Sequence, residues 1–189
     1  HRIWGEATAI LAGDALQALG FGLLADPALG AARPGLLDAL AQAAGAAGMV
    51  HGQALDIGAE TAPAPLSLGA ISELQAAKTG ALIVFAASAG ALIAQEDPAP
   101  LRAYGAALGL AFQIADDILD VTGDAQAAGK RLGKDSAAGK ATFVSLLGLD
   151  GARARAAALV AEARTALAPY GARATKLIAA AEFAVNRRT

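Results

Sequence analysis

The stretch "FQIADDILDVTGD", residues 112–124, sets Asp116, Asp117 and Asp120 among isoleucine, alanine and leucine. At about 100° per residue these three aspartates and Gln113 fall within an arc of about 100°, so a helix would gather them into one polar stripe with converging carboxylates. Clustered anions in a low dielectric must be solvated, protonated or neutralised by cations. A hard divalent cation such as Mg2+ suits oxygen donors of this kind. It keeps several waters and is held by one or two carboxylates together with substrate phosphates. The plainer alternative is a solvated helix face, but no Lys or Arg stands between Tyr104 and Asp124 to pair with the stripe locally. The spacing D-D-x-x-D-x-x-x-D also does not give the pattern of a calcium-binding loop.

The next segment, "GKRLGKDSAAGKAT", places Lys130, Arg131, Lys134 and Lys140 within eleven residues, spaced by Gly129, Gly133 and Gly139. Glycines allow close backbone approach, and lysines act as point-charge phosphate binders. The nucleotide-binding phosphate loop is a poor fit, with five residues between Gly133 and Gly139, Ala141 in place of Ser or Thr, and no strand before it. A Gly/Lys loop alone is commonly an exposed connection. Directly after an acidic stripe, it suggests a diphosphate held between Mg2+ and lysines.

Two further polar insertions interrupt apolar stretches. "MVHGQALDIGAE" sets Gln53 and Asp56 three apart on one helical face, and "LQAAKTGALIV" puts Lys78 and Thr79 at the start of the most hydrophobic helix. Taken singly, Lys78 is a helix-end charge and Gln53 or His51 a satisfied core polar group. Taken together, they offer polar groups to a central cavity otherwise lined by Ala, Leu, Val and Phe, suited to a ligand with a charged head and a hydrocarbon tail.

The elements that must position these groups are helices. Of 189 residues 56% are hydrophobic, much of that alanine, and only 4% are aromatic. Apolar periodicity places helices at about 6–25, 35–47, 49–59, 67–78, 80–95, 99–122, 141–148, 151–168 and 172–186. Breaks fall at "DPALGAARPG", "TAPAP", "EDPAP" and the Gly/Lys segment, and no alternating strand pattern or fixed-period repeat stands out. The expectation is one helical domain over residues 1–189.

The net charge of -2 gives no bulk attraction to nucleic acid or an anionic membrane. With no cysteine there is no disulfide framework, thiolate metal site or cysteine nucleophile, which fits a cytoplasmic protein. The uncharged run Thr79–Gln95 is 17 residues, just short of a bilayer span, and reads as a buried helix rather than a membrane insertion. The first residues, "HRIWGEATAILAGDAL", lack the charged start, apolar core and small-residue cleavage site of a secretory signal. There is no initiator methionine, and helical pattern starts within a few residues of His1, so an N-terminal portion is expected to lie outside this sequence.

In this order and at these separations, "GQALD" (52–56), "KTGALI" (78–83), "GLAFQIADDILDVTGD" (109–124) and "GKRLGKDSAAGKAT" (129–142) resemble the polyprenyl diphosphate synthases, of the bacterial farnesyl or geranylgeranyl type. "IWGEATAILAGDALQALGF" and the terminal "NRRT" resemble that family too. The resemblance implies an all-α isoprenoid-synthase helical bundle around a central cavity, here without its N-terminal helices, working as a homodimer. It implies a prenyltransferase of isoprenoid biosynthesis that condenses isopentenyl diphosphate with an allylic diphosphate through an allylic carbocation. It further implies Mg2+ on Asp116, with Asp117 and Asp120 acting directly or through water; Lys78, Lys130 and Lys140 on the diphosphate; and Thr79 and Gln113 near the developing cation. Gln53, Asp56 and Asp135 would support these groups.

The family's first aspartate-rich motif, its arginine pair and most of its isopentenyl diphosphate site have no counterpart in these residues, so residues 1–189 alone are expected to be inactive. Two rivals remain. A terpene cyclase of the same fold would carry an Asn/Ser/Glu metal pattern, which is not found after Asp120. A non-catalytic helical partner subunit would have no need of Lys78, Asp116, Asp117, Asp120 and Lys130.

Overall fold

A computed structural model describes residues 1–122 and 141–187 of the chain, and among the described residues it contains helices and no strand. The helices are α1 (Glu6–Leu24), α2 (Arg33–Ala44), α3 (Met49–Ala59), α4 (Leu68–Gln75), α5 (Ala81–Ala94), α6 (Ala99–Thr122), α7 (Phe143–Ala166) and α8 (Thr175–Asn186). Short 3-10 segments, Pro27–Ala32 and Ala168–Ala174, precede α2 and α8.

The helix expected at 99–122 is α6, and it organises the bundle. Its start is set by Asp97, whose Oδ1 accepts the Ala99 N–H at 2.9 Å. Its buried residues are Tyr104, Gly105, Ala107, Gly109, Ala111, Ile114, Ala115 and Asp117, five of them Gly or Ala. Small side chains let neighbouring backbones come close: a Cβ on Gly105 would stand 2.8 Å from Val84 Cα, and one on Gly109 would stand 2.9 Å from Gly80 Cα. On another side α6 packs against α7, whose buried residues Ala152, Ala156, Leu159 and Ala163 recur at helical spacing.

One boundary differs from the sequence reading and another agrees with it. Residues 67–78 and 80–95 do not form separate helices. α4 runs into α5 through a π-helical turn, Ala76–Gly80, because this stretch offers no proline to end the helix. In contrast, the break expected after residue 148 is real: Gly148 has φ 71°, ψ 165°, and α7 bends there.

Two stretches, Glu6–Leu24 and Leu68–Ala94, are long and apolar enough to cross a bilayer by length and composition. The second packs against α2, α3 and α6. α1 leaves Ile10, Leu11, Leu16, Leu19 and Leu23 exposed.

The C-terminal helix is anchored by Tyr104, 2% exposed, whose hydroxyl donates to the Leu177 carbonyl at 2.8 Å. Burial raises the Tyr104 phenol above its ordinary value, because the phenolate is disfavoured away from water. The neutral phenol's contribution to stability is therefore fully present below the unfolded value of about 10 and lost as pH rises through the raised folded one. Tyr104→Phe is expected to cost about 1 kcal/mol at neutral pH. Urea midpoints followed up to about pH 11 should then fall less steeply in the variant than in the parent.

Candidate active site

Lys78 and Thr79 stand on the π-helical turn, where the extra residue in the turn displaces them from regular helical positions. The Lys78 ammonium donates to Asp56 Oδ2 on α3 at 2.7 Å, with both side chains partly buried. The Thr79 hydroxyl lies 3.3 Å from Gln113 Oε1 on α6 and 3.5 Å from Gln75 Oε1 on α4, so its one proton links the turn to either neighbour. This turn meets α3 at Gly52, where any side chain would collide with backbone: an added Cβ would lie 2.1 Å from the Lys78 amide nitrogen.

Asp56, Gln75, Lys78 and Gln113 line a cavity of about 340 Å³ between α3, the 60–67 connection, α4 and α6, whereas Thr79 reaches it only through its contacts with Gln75 and Gln113. Asp56, Glu60, Lys78, Gln75, Gln113 and Asp117 supply its polar wall, and Leu66, Ile71, Leu74 and several Ala and Pro residues its apolar one. The expected Val and Phe lining is replaced by the prolines and alanines of the "TAPAP" connection. Gln53 is exposed on α3 and does not line the cavity, unlike Asp56 one turn later.

The aspartate stripe divides between two surroundings. Consecutive helical residues point about 100° apart, so Asp116 and Asp117 stand at opposite edges of the stripe. Asp117 is 6% exposed, and its Oδ2 accepts the Phe143 N–H at 2.8 Å, at the start of α7. That helix end is also closed by a reciprocal pair: the Ser145 N–H donates to Thr142 Oγ1 at 3.1 Å, and the Thr142 N–H donates to Ser145 Oγ at 2.8 Å. A helix N-terminus is a favourable place for a buried carboxylate.

At the other edge, Asp116 Oδ1 accepts from Arg187 Nη2 at 2.5 Å. The Arg187 guanidinium also lies 3.9 Å from the centre of the Phe112 ring. Asp116 and Asp120, one turn apart on α6, are half-buried and lie outside the cavity lining. Lys130, Lys140 and Asp135 lie outside the described residues.

Among the described residues no three Asp, Glu or His side chains are gathered in a geometry that would hold a metal ion. The donor chemistry nonetheless fits Mg2+. Asp116 and Asp120 are two hard oxygen donors at helical contact spacing, and this ion completes its shell with water and phosphate oxygens.

A family model for polyprenyl synthetase matches residues 1–170. The chain belongs to the polyprenyl synthetase family. It is 46% identical over 175 residues to farnesyl diphosphate synthase of Escherichia coli, covering 88% of this chain and 58% of the relative. Its fold superposes with a TM-score of 0.86 on an FPP/GFPP synthase of Zymomonas mobilis, 43% identical, over 98% of this chain and 63% of that one. A geranyltransferase of Helicobacter pylori, complexed with magnesium and isoprenyl diphosphate, gives a TM-score of 0.81 at 34% identity, covering 98% of this chain and 62% of the other. The chain thus spans a little over half the length of the curated relatives it matches. The all-α isoprenoid-synthase architecture expected from the sequence is the one it shares with these family members.

Residue-level reading missed Gln75, Glu60, Phe112 and Arg187. Gln75 precedes Lys78 by three residues and could have been found from helical spacing. Arg187 stands 71 positions from Asp116, and only the family-like "NRRT" ending drew attention to it.

Gly52→Ala tests the packing that holds Lys78. The intruding methyl must push the π-helical turn away from α3, and overpacking of this kind costs about 1–3 kcal/mol. A fall in the urea midpoint is expected, together with weaker binding of inorganic diphosphate by calorimetry. An unchanged midpoint would show that α3 yields freely at this contact.

Proposed function

We propose that the whole protein is a prenyltransferase of isoprenoid biosynthesis, a farnesyl or geranylgeranyl diphosphate synthase. It joins isopentenyl diphosphate head-to-tail to an allylic diphosphate: the allylic C–O bond breaks, the isopentenyl double bond attacks the carbocation, and a proton is lost. One observation in the structure carries the reading. Lys78, Gln113 and Asp117 line one cavity with a polar and an apolar wall, Thr79 is tied to Gln113, and Asp116 and Asp120 lie on the same helix as Gln113 and Asp117.

In this reading Lys78, steadied by Asp56, offers its ammonium to the allylic diphosphate as charge builds on the leaving oxygen. Lys130 and Lys140 would add further positive charge to the same group. Thr79 and Gln113 turn their oxygens toward the developing cation, where oxygen dipoles stabilise positive charge. Leu66, Ile71 and Leu74 keep water from the carbocation. Asp116 and Asp120 would hold Mg2+. Asp117, committed to the start of α7, and Asp135 act on it through neighbours or water, and Gln53 supports α3 from outside. When bound, Mg2+ supplies Lewis-acid charge on the diphosphate oxygens.

A cytoplasmic homodimer without stable membrane insertion or nucleic acid belongs to the same proposal. Its support is the net charge of -2 and the exposed apolar α1, a surface that subunit association would cover. The family and its named relatives favour condensation over cyclisation by a terpene synthase of this fold or a non-catalytic partner role.

The test is elongation by the full-length protein with Mg2+, labelled isopentenyl diphosphate and allylic diphosphates of increasing length, with products sized by chromatography. Elongation from at least one primer is expected, and none from any primer would sink the reading. Asp116→Asn should lower kcat by about a hundredfold or more. Residues 1–189 alone are expected to show no condensation.

A further inference from the structure

We infer that Arg187 is a resident counter-cation of Asp116 that competes with a divalent cation for its carboxylate, so that Arg187 lowers the affinity of the aspartate stripe for metal. The inference rests on the proposal that Asp116 is a metal ligand.

Phe112 and Asp116 stand four residues apart on α6 and so share a face. Together they make a seat for a guanidinium, with the ring beneath its plane and the carboxylate at its edge. Arg187 fills that seat, 3.9 Å from the ring centre and 2.5 Å from Asp116 Oδ1, with 15% of its side chain exposed. The seat favours arginine over lysine, since only the planar guanidinium can stack on the ring while donating in its own plane.

Arg187 does not reach Asp116 from a loose terminus. Its own N–H donates to the Phe183 carbonyl at 2.9 Å, which closes α8 onto it. α8 is in turn fastened by the Tyr104 hydroxyl on the Leu177 carbonyl, by the Arg164–Glu182 ion pair to α7, and by the buried Ala181 and Ala184. The guanidinium is therefore delivered by a docked helix, and moving it means breaking a stacked, charge-assisted contact.

The consequence for a cation follows from charge alone. A divalent ion approaching Asp116 meets a positive charge already held on Oδ1, and it must share that carboxylate or expel the guanidinium. Asp120, one turn further on, is left as the ligand nearest to hand without Arg187 on it. Metal loading at the stripe is then set by competition as well as by the number of carboxylates.

The experiment is a Mn2+ titration of the full-length protein followed by electron paramagnetic resonance, with thermal melts run on every variant. Arg187→Gln is expected to bind Mn2+ about three- to tenfold more tightly. Phe112→Leu, which removes the stacking surface but leaves the charge, should shift affinity the same way by less. If Arg187→Gln does not fold, Phe112→Leu carries the test. Asp116→Asn combined with Arg187→Gln should bind no more tightly than Asp116→Asn alone. Equal or weaker Mn2+ binding in Arg187→Gln, or a gain that survives Asp116→Asn, overturns the inference while leaving the metal site intact. Mn2+ binding that does not depend on Asp116 in any variant overturns both this inference and the assignment of Asp116 as a ligand.

Discussion

A carboxylate can sit near the centre of this bundle because a helix begins in front of it. Desolvating the Asp117 charge among alanines would be costly if nothing replaced the lost water. The Phe143 N–H and the start of α7 replace it, and the exchange works in both directions: the helix end gains an acceptor for a donor that has no partner within the helix. That contact holds the start of α7, with Ala141 and Thr142 just before it, against α6. It also fixes where Thr142 lies on the cavity wall, so a charge that could have been a burden sets the geometry of the site.

The same helix must come close to three neighbours, and its composition permits it. Gly105 admits the α5 backbone and Gly109 the end of the π-helical turn, and alanines admit α7. Gly52 does the same for α3 against the π-helical turn. With so few aromatic side chains, space inside the bundle is controlled by how near the backbones approach. The cavity remains where they are held apart, along the 60–67 connection with its prolines. Lys78 owes its place at the cavity edge to this combination of a close contact on one side and a π-helical turn beneath it.

Much of this was legible in the sequence because helical periodicity is a local signal. α6 emerges over the residues its pattern marked, and the bend at Gly148 falls where glycine interrupted the apolar repeat. The continuity of α4 with α5 was not legible. Gly80 and a lysine resemble a helix end in sequence, and only the packing of Gly109 against Gly80 shows why the backbone continues. For the site, Asp56, Lys78, Gln113 and Asp117 were found because each is a polar intrusion in apolar surroundings, and all four line one cavity. The same rule selected Gln53, which faces outward, because a helical face does not by itself say which neighbour it meets.

The stripe itself shows where local reasoning ends. With no basic residue nearby in sequence, three aspartates on one arc imply neutralisation by something from outside the helix. The structure supplies two such sources of different kinds: a helix N-terminus for Asp117, and a guanidinium from the far end of the chain for Asp116. Neither is visible as spacing, since one is a backbone group and the other depends on α8 folding back along α6. The two aspartates are chemically identical and adjacent, yet the 100° step between them sends one into the bundle and the other to its rim. A buried, backbone-bound carboxylate is suited to holding structure, whereas one paired with a side-chain charge at the rim can exchange that partner for another cation. The division of labour within "DDILD" thus follows from helix geometry before any ligand is considered.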